Sequence, residues 1–137
     1  MKFSPLMPRI SNEEKLKIAN EIVKKLYKIR EVIAIILFGS QATGKARSDS
    51  DVDIAVMTKT NDDKIRSKII REGDEIVQVS HFNTLPLEIQ FRVIKEGKVL
   101  FCKDEDELKN QVKKTILRYL DFDFFLTKFY RRKLENV

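Results

Sequence analysis

Asp51 and Asp53 stand two residues apart and run straight into the apolar stretch Ile54, Ala55, Val56 and Met57. On a strand, residues two apart share a face. The two carboxylates therefore project together, while Val52, Ile54 and Val56 turn the other way into a core. A carboxylate pair on a rigid strand suits a hard, oxygen-seeking cation. Mg²⁺ typically takes one or two carboxylates plus substrate phosphates and keeps several waters. Two such ions about 3.5–4 Å apart can clamp the attacking and leaving oxygens of an in-line phosphoryl displacement. Gly39 and Ser40, separated from Asp51 by ten residues, supply the complementary half. Glycine lets the main chain turn sharply and approach a ligand closely. A short helix starting at Ser40 would offer free N–H groups and a positive dipole end to a chain of phosphates. The Ser40 hydroxyl adds a donor, and Lys45 and Arg47 in the same loop can pair with phosphate oxygens.

Other readings of these residues are weaker. The run 49–53 looks superficially like an EF-hand loop, which requires Gly at its sixth position and a bidentate Glu at its twelfth. Counting from Asp49, those positions hold Ile54 and Thr60, so the Ca²⁺ reading fails. Either half alone is compatible with an ordinary turn or a solvated acidic loop. Their joint occurrence between two apolar strands is what singles them out.

The segment 38–56 resembles the signature of the DNA polymerase beta nucleotidyltransferase superfamily, a Gly-Ser pair followed at fixed spacing by Asp-x-Asp. The small chain and the segment RVIKEGKVLF at 92–101, followed by a helix, resemble the minimal nucleotidyltransferases, the MNT half of HEPN/MNT toxin–antitoxin pairs. The likeness covers roughly residues 12–101 well and the last helix loosely. It implies that Gly39 and Ser40 hold nucleotide phosphates and that Asp51 and Asp53 hold Mg²⁺. ATP is then the substrate, and AMP passes to a hydroxyl of a partner protein, by family a tyrosine of a HEPN-type toxin. One departure stands out. The superfamily usually carries a third carboxylate on a later strand, and here that position is Gln78. An amide cannot act as a general base and binds Mg²⁺ less well than a carboxylate. Glu75 is near in sequence but belongs to the opposite strand face.

Length and composition bound the rest. A chain of 137 residues is large enough for one domain, 1–137, with its own core. It is 42% hydrophobic and 35% charged, the balance of a soluble globular protein. The longest apolar run, 32–38, is far too short to span a membrane. No apolar signal core opens the chain and Cys102 is the lone cysteine, which together point to the cytoplasm. The net charge of +6 suits an anionic partner without choosing one.

The elements that must position the site follow from periodicity. A capping box at Ser11–Glu14 opens a helix over about 12–30, with Leu16, Ala19, Ile22, Val23 and Leu26 on its apolar face. Strands are expected at 32–38, 52–57, 75–82 and 98–102. Residues 58–73 form either a helix capped by Thr60 or Asn61 and ended by Gly73, or a loop. Another helix opens at Asn83–Pro86 and stops at Gly97. Arg92 and Lys95 on it read as a solvated face, and His81 as a structural residue. A loose lead-in occupies 1–10, and a long last helix, 104–134, is capped by Asp104. Most of that helix should pack on the sheet, although its aromatics fall on more than one face.

The expected fold is therefore α+β: a small mixed sheet of three to five strands backed by helices, polymerase-beta-like, with the site at its edge. Beside the transferase stands a reading of another class, a nucleotide- or toxin-binding antitoxin that acts by occlusion, which Gln78 keeps open. A small-molecule nucleotidyltransferase would need more chain for an acceptor pocket, and charge alone is a thin basis for nucleic-acid binding.

Overall fold

The computed structural model describes residues 10–47 and 49–135, so all of the expected lead-in but Ile10 lies outside the described residues. Helix α1, Asn12–Leu26, begins as its capping box predicts, with the Ser11 hydroxyl accepting from the Glu14 N–H at 3.2 Å. It stops at Leu26, short of the expected 30. The chain reverses there so that Ile29 is buried and its carbonyl accepts from the Val32 N–H at 3.1 Å, which starts β1.

Strands β1 (Val32–Phe38), β2 (Val52–Thr58), β3 (Val77–His81) and β4 (Lys98–Cys102) form one mixed sheet in the order β3-β2-β1-β4. β1 lies antiparallel to both β2 and β4, and β2 lies parallel to β3. The two central strands are buried on both faces, which is why 32–38 is unbroken apolar sequence. On one face Val52, Ile54, Val56, Val77 and Val79 pack under Ala19, Ile22 and Leu26 of α1 and Ile69 of α3, Asp63–Ile70. On the other, Ile36, Ala55 and Met57 meet Phe82 and Val93 of α4, Leu87–Glu96, with Leu108 of α5, Glu105–Glu135, at the margin.

Several boundaries differ from expectation for local reasons. The helix at 63–70 forms, but its cap is Asp62, which accepts from the Lys64 N–H at 2.8 Å, and not Thr60 or Asn61. Phe82–Thr84 make a 3₁₀ turn, so α4 starts only after Pro86 and not at Asn83. The third strand does not include Glu75. Asp74 accepts from the N–H groups of Ile76 and Val77, both at 2.8 Å, and this side-chain turn delays the strand to Val77.

The largest correction concerns α5. Its first half packs: Thr115 is buried and Tyr119 stacks on Phe91 with ring centroids 3.9 Å apart. Beyond Tyr119 the side chains are exposed, including Phe124, Phe125, Phe129 and Tyr130. A helix of 31 residues is about 46 Å long, whereas strands of five to seven residues span only about 17–23 Å. The sheet is too small to cover it.

Candidate functional site

β1 ends at Phe38, and Gly39 follows with φ 73° and ψ −157°, a conformation that side-chain-bearing residues rarely adopt. The chain then enters α2, the single turn Ser40–Thr43, closed by the Gly39 carbonyl accepting from Ala42 at 3.1 Å and Thr43 at 3.2 Å. Gly44 ends it in the left-handed region at φ 76°. Strand pairing sets Phe38 opposite Asp53. The Asp53 carboxylate lies so close to Gly39 that a Cβ there would stand 2.7 Å from its Oδ2. The glycine thus serves twice, once for its dihedral and once for its missing side chain.

Asp51 precedes β2 by one residue, and its Oδ1 is shut off from solvent. Both aspartates hold polar or electrostatic contacts. Gly39, Ser40, Asp51 and Asp53 therefore gather at one end of the two central strands, not at the lateral edge of the sheet. Lys45 and Arg47 join them through the main chain: Lys45 N–H donates to the Ser40 carbonyl at 3.0 Å and Arg47 N–H to Ser50 Oγ at 2.8 Å. Their side chains are exposed. Gln78 is the parallel partner of Asp53 in the ladder, and so occupies the same face of the sheet beside it. Glu75 stands outside the strand. Arg92 and Lys95 are exposed on α4.

The residue that sequence reasoning missed is Lys15. It is fully buried, and its Nζ donates to the Ser50 carbonyl at 2.7 Å, next to Asp51. It too makes a further interaction. The signal was there: Ala19, Ile22 and Leu26 are the buried stripe of α1, and one turn back along that stripe lies Lys15. A second tie, Gln41 Nε2 to Asn12 Oδ1 at 3.1 Å, joins α2 to the same first turn of α1.

His81 proves structural. It is 1% exposed, and its Nε2 lies 2.7 Å from Thr58 Oγ1. Thr58 spends its single proton on the Thr60 carbonyl at 2.6 Å, so His81 Nε2 is the donor. Its Nδ1 is buried with no hydrogen-bond partner among the described residues. Burial, and then the nearby Arg66 charge, hold its pKa below the ordinary histidine value.

Among the described residues no group of three or more His, Cys, Asp or Glu side chains gathers as a metal site. The donor set at the Gly39 turn is a pair. Two hard carboxylates beside a main-chain cradle that a Cβ would fill fit a divalent cation that draws its other ligands from a substrate and water.

A mixed four-stranded sheet with helices on both faces, and a Gly-Ser turn closing on strand carboxylates, defines a polymerase-beta-like nucleotidyltransferase fold. The Polymerase beta, Nucleotidyltransferase family matches residues 20–106, and the chain belongs to it. Solved structures agree on the fold. A chain of a mutant toxin–antitoxin MntA–HpeT is 24% identical, with a TM-score of 0.65 over 84% of this chain and 97% of that one. A chain of a toxin–antitoxin with AMP-PNP is 23% identical, with a TM-score of 0.64 over 90% and 98%. A chain from the complex of a tri-AMPylated HEPN toxin with its MNT antitoxin, from Shewanella oneidensis, is 23% identical, with a TM-score of 0.63 over 88% and 98%. No curated protein matches the chain.

Proposed function

We propose that this protein is a Mg²⁺-dependent nucleotidyltransferase that passes AMP from ATP to a hydroxyl of a partner protein, and that the partner is a HEPN-type toxin which the modification neutralises. The observation that carries this reading is the approach of the Asp53 carboxylate to Gly39, which brings a strand carboxylate onto the Gly-Ser turn. Family membership and the fold shared with antitoxin chains, one solved beside an AMPylated toxin, support it.

In this reading Asp51 and Asp53 hold the cation, which supplies charge neutralisation at the transferring phosphorus. Gly39 and Ser40 hold the phosphates at the main chain, and Lys45 and Arg47 close over them from the loop. The acceptor oxygen forms a bond to the α-phosphorus, the bond to the bridging oxygen breaks, and pyrophosphate leaves. The hydroxyl proton passes to solvent, since Gln78, in the third carboxylate position of the family, cannot accept it. The chain therefore contributes positioning and electrostatics more than proton transfer. The exposed end of α5 supplies a docking surface of aromatics followed by Arg131 and Arg132, residue types favoured at interfaces.

Incubation with α-³²P-ATP, Mg²⁺ and the product of the neighbouring gene tests this. Label should pass to that neighbour and disappear in an Asp51→Ala/Asp53→Ala variant. The pairing of Gln78 with Asp53 favours a second reading, an antitoxin that binds and occludes without transfer. No label, with a tight complex that survives the double substitution, would establish it instead.

A further inference from the structure

We infer that Lys15 is a built-in counter-charge of the carboxylate site, and that its ammonium leaves the Asp51–Asp53 pair with charge for one divalent ion instead of two. This rests on the reading of Asp51 and Asp53 as metal ligands.

Lys15 lies in the first turn of α1, where the positive end of the helix dipole disfavours a cation. It is also 0% exposed, and a buried charge persists only when paired and hydrogen-bonded. Both penalties are accepted at one place. The ammonium donates to the Ser50 carbonyl at 2.7 Å, at the residue that leads into Asp51. The stripe 15, 19, 22, 26 would bury any apolar residue at position 15 without such cost. The lysine is explained by what it faces, and that is the carboxylate-bearing end of β2. Lys15, Asp51 and Asp53 all hold polar or electrostatic contacts in this arrangement.

Charge counting then sets the ion number. Two carboxylates and one ammonium leave the site at −1, and the ladder neighbour of Asp53 is neutral Gln78. No third acidic, histidine or cysteine ligand joins the pair among the described residues. The protein therefore offers a second divalent ion no carboxylate beyond the pair, and such an ion would have to draw nearly all its ligands and countercharge from the nucleotide phosphates and water. Lys15 is accordingly a positioning residue. It fixes the loop end at Ser50 and holds the carboxylates in place before nucleotide and metal arrive.

Mn²⁺ binding, followed by calorimetry and by electron paramagnetic resonance with and without AMP-PNP, tests the inference. The natural chain should take one Mn²⁺ with AMP-PNP present. Lys15→Met should bind Mn²⁺ about tenfold more tightly without nucleotide, a gain of about 1.4 kcal/mol. Its melting temperature should also rise more on Mn²⁺ addition than that of the natural chain, because the ion replaces the missing ammonium. A purely structural lysine would not produce that metal-dependent rescue. Gln78→Asp, at an exposed position, repeats the count without touching the core and should admit a second ion. Two ions in the natural chain, unchanged Mn²⁺ affinity and rescue in Lys15→Met, or a single ion in Gln78→Asp would each overturn the assignment. Absence of Mn²⁺ binding by the natural chain under both conditions would overturn the metal-site reading beneath it as well.

Discussion

At Gly39 the main chain and the Asp53 carboxylate contend for the same few ångströms. Gly39→Ala would place a methyl group 2.7 Å from Asp53 Oδ2 and hold alanine at φ 73°. Left-handed strain and the collision together should cost about 1–3 kcal/mol of stability. Displacing the carboxylate by a fraction of an ångström should cut the proposed AMP transfer by about 100-fold. Gly44 separates the two causes. It has φ 76° but open space where its Cβ would stand. Gly44→Ala should lose only about 1 kcal/mol of stability and keep most of the transfer activity. Thermal melts and label-transfer rates on the two variants check the contrast. Equal losses of transfer would mean that loop conformation, and not room for Asp53, is what the turn requires.

At the scale of elements, α1 and α5 show opposite uses of a helix. α1 is amphipathic in the ordinary sense, yet its buried stripe ends on a charge, Lys15, whose ammonium reaches the Ser50 carbonyl. α5 outruns the sheet and carries apolar side chains into solvent, with Phe125 at 70% and Phe129 at 54% exposure. Exposed apolar clusters of this kind mark interaction surfaces. Phe125→Glu and Phe129→Glu should leave the melting temperature within about 1 °C of the natural protein, since neither side chain is part of the core. If the proposed toxin docks there, each should weaken its binding at least tenfold, as loss of an aromatic anchor does. Calorimetric titration of the complex measures this. Undiminished binding would move the docking surface elsewhere on the molecule.

For the molecule as a whole, the end of the sheet opposite the candidate site is locked by a polar network. Asn83 accepts from the Thr58 N–H at 2.9 Å and donates to the Thr58 carbonyl at 2.8 Å, and Gln111 of α5 donates to that carbonyl at 2.9 Å. His81 belongs to the same knot through Thr58 Oγ1. Its pKa is lowered in the fold by burial first and Arg66 second, so the unfolded chain takes up a proton at higher pH than the folded one. Stability from this group is therefore complete above the unfolded pKa of about 6.5 and is lost as pH falls below it toward the folded value. Melting temperatures should be level between pH 7 and 8 and fall between pH 6.5 and 5. His81→Gln, which retains a donor for Thr58 Oγ1, should flatten that slope. A slope unaltered by the substitution would assign the acid sensitivity to other groups.

Much of this protein was settled by residue order alone. Alternation at 51–57 put the aspartates and the core valines on opposite faces, the unbroken apolar run 32–38 announced a central strand, and the capping residues at 11 and 104 opened their helices where expected. These are local preferences, and no distant contact opposes them. That Gly39, Ser40, Asp51 and Asp53 stand close together was legible for the same reason, since one turn and the start of one strand hold them. What depended on the tertiary structure were the pairings between segments far apart in the chain. Only strand order sets Gln78 beside Asp53, and only the docking of α1 brings the Lys15 ammonium to Ser50. Only the finite width of a four-stranded sheet leaves the end of α5 uncovered. Periodicity shows which face of an element is apolar, but what covers that face depends on the size and placement of its neighbours.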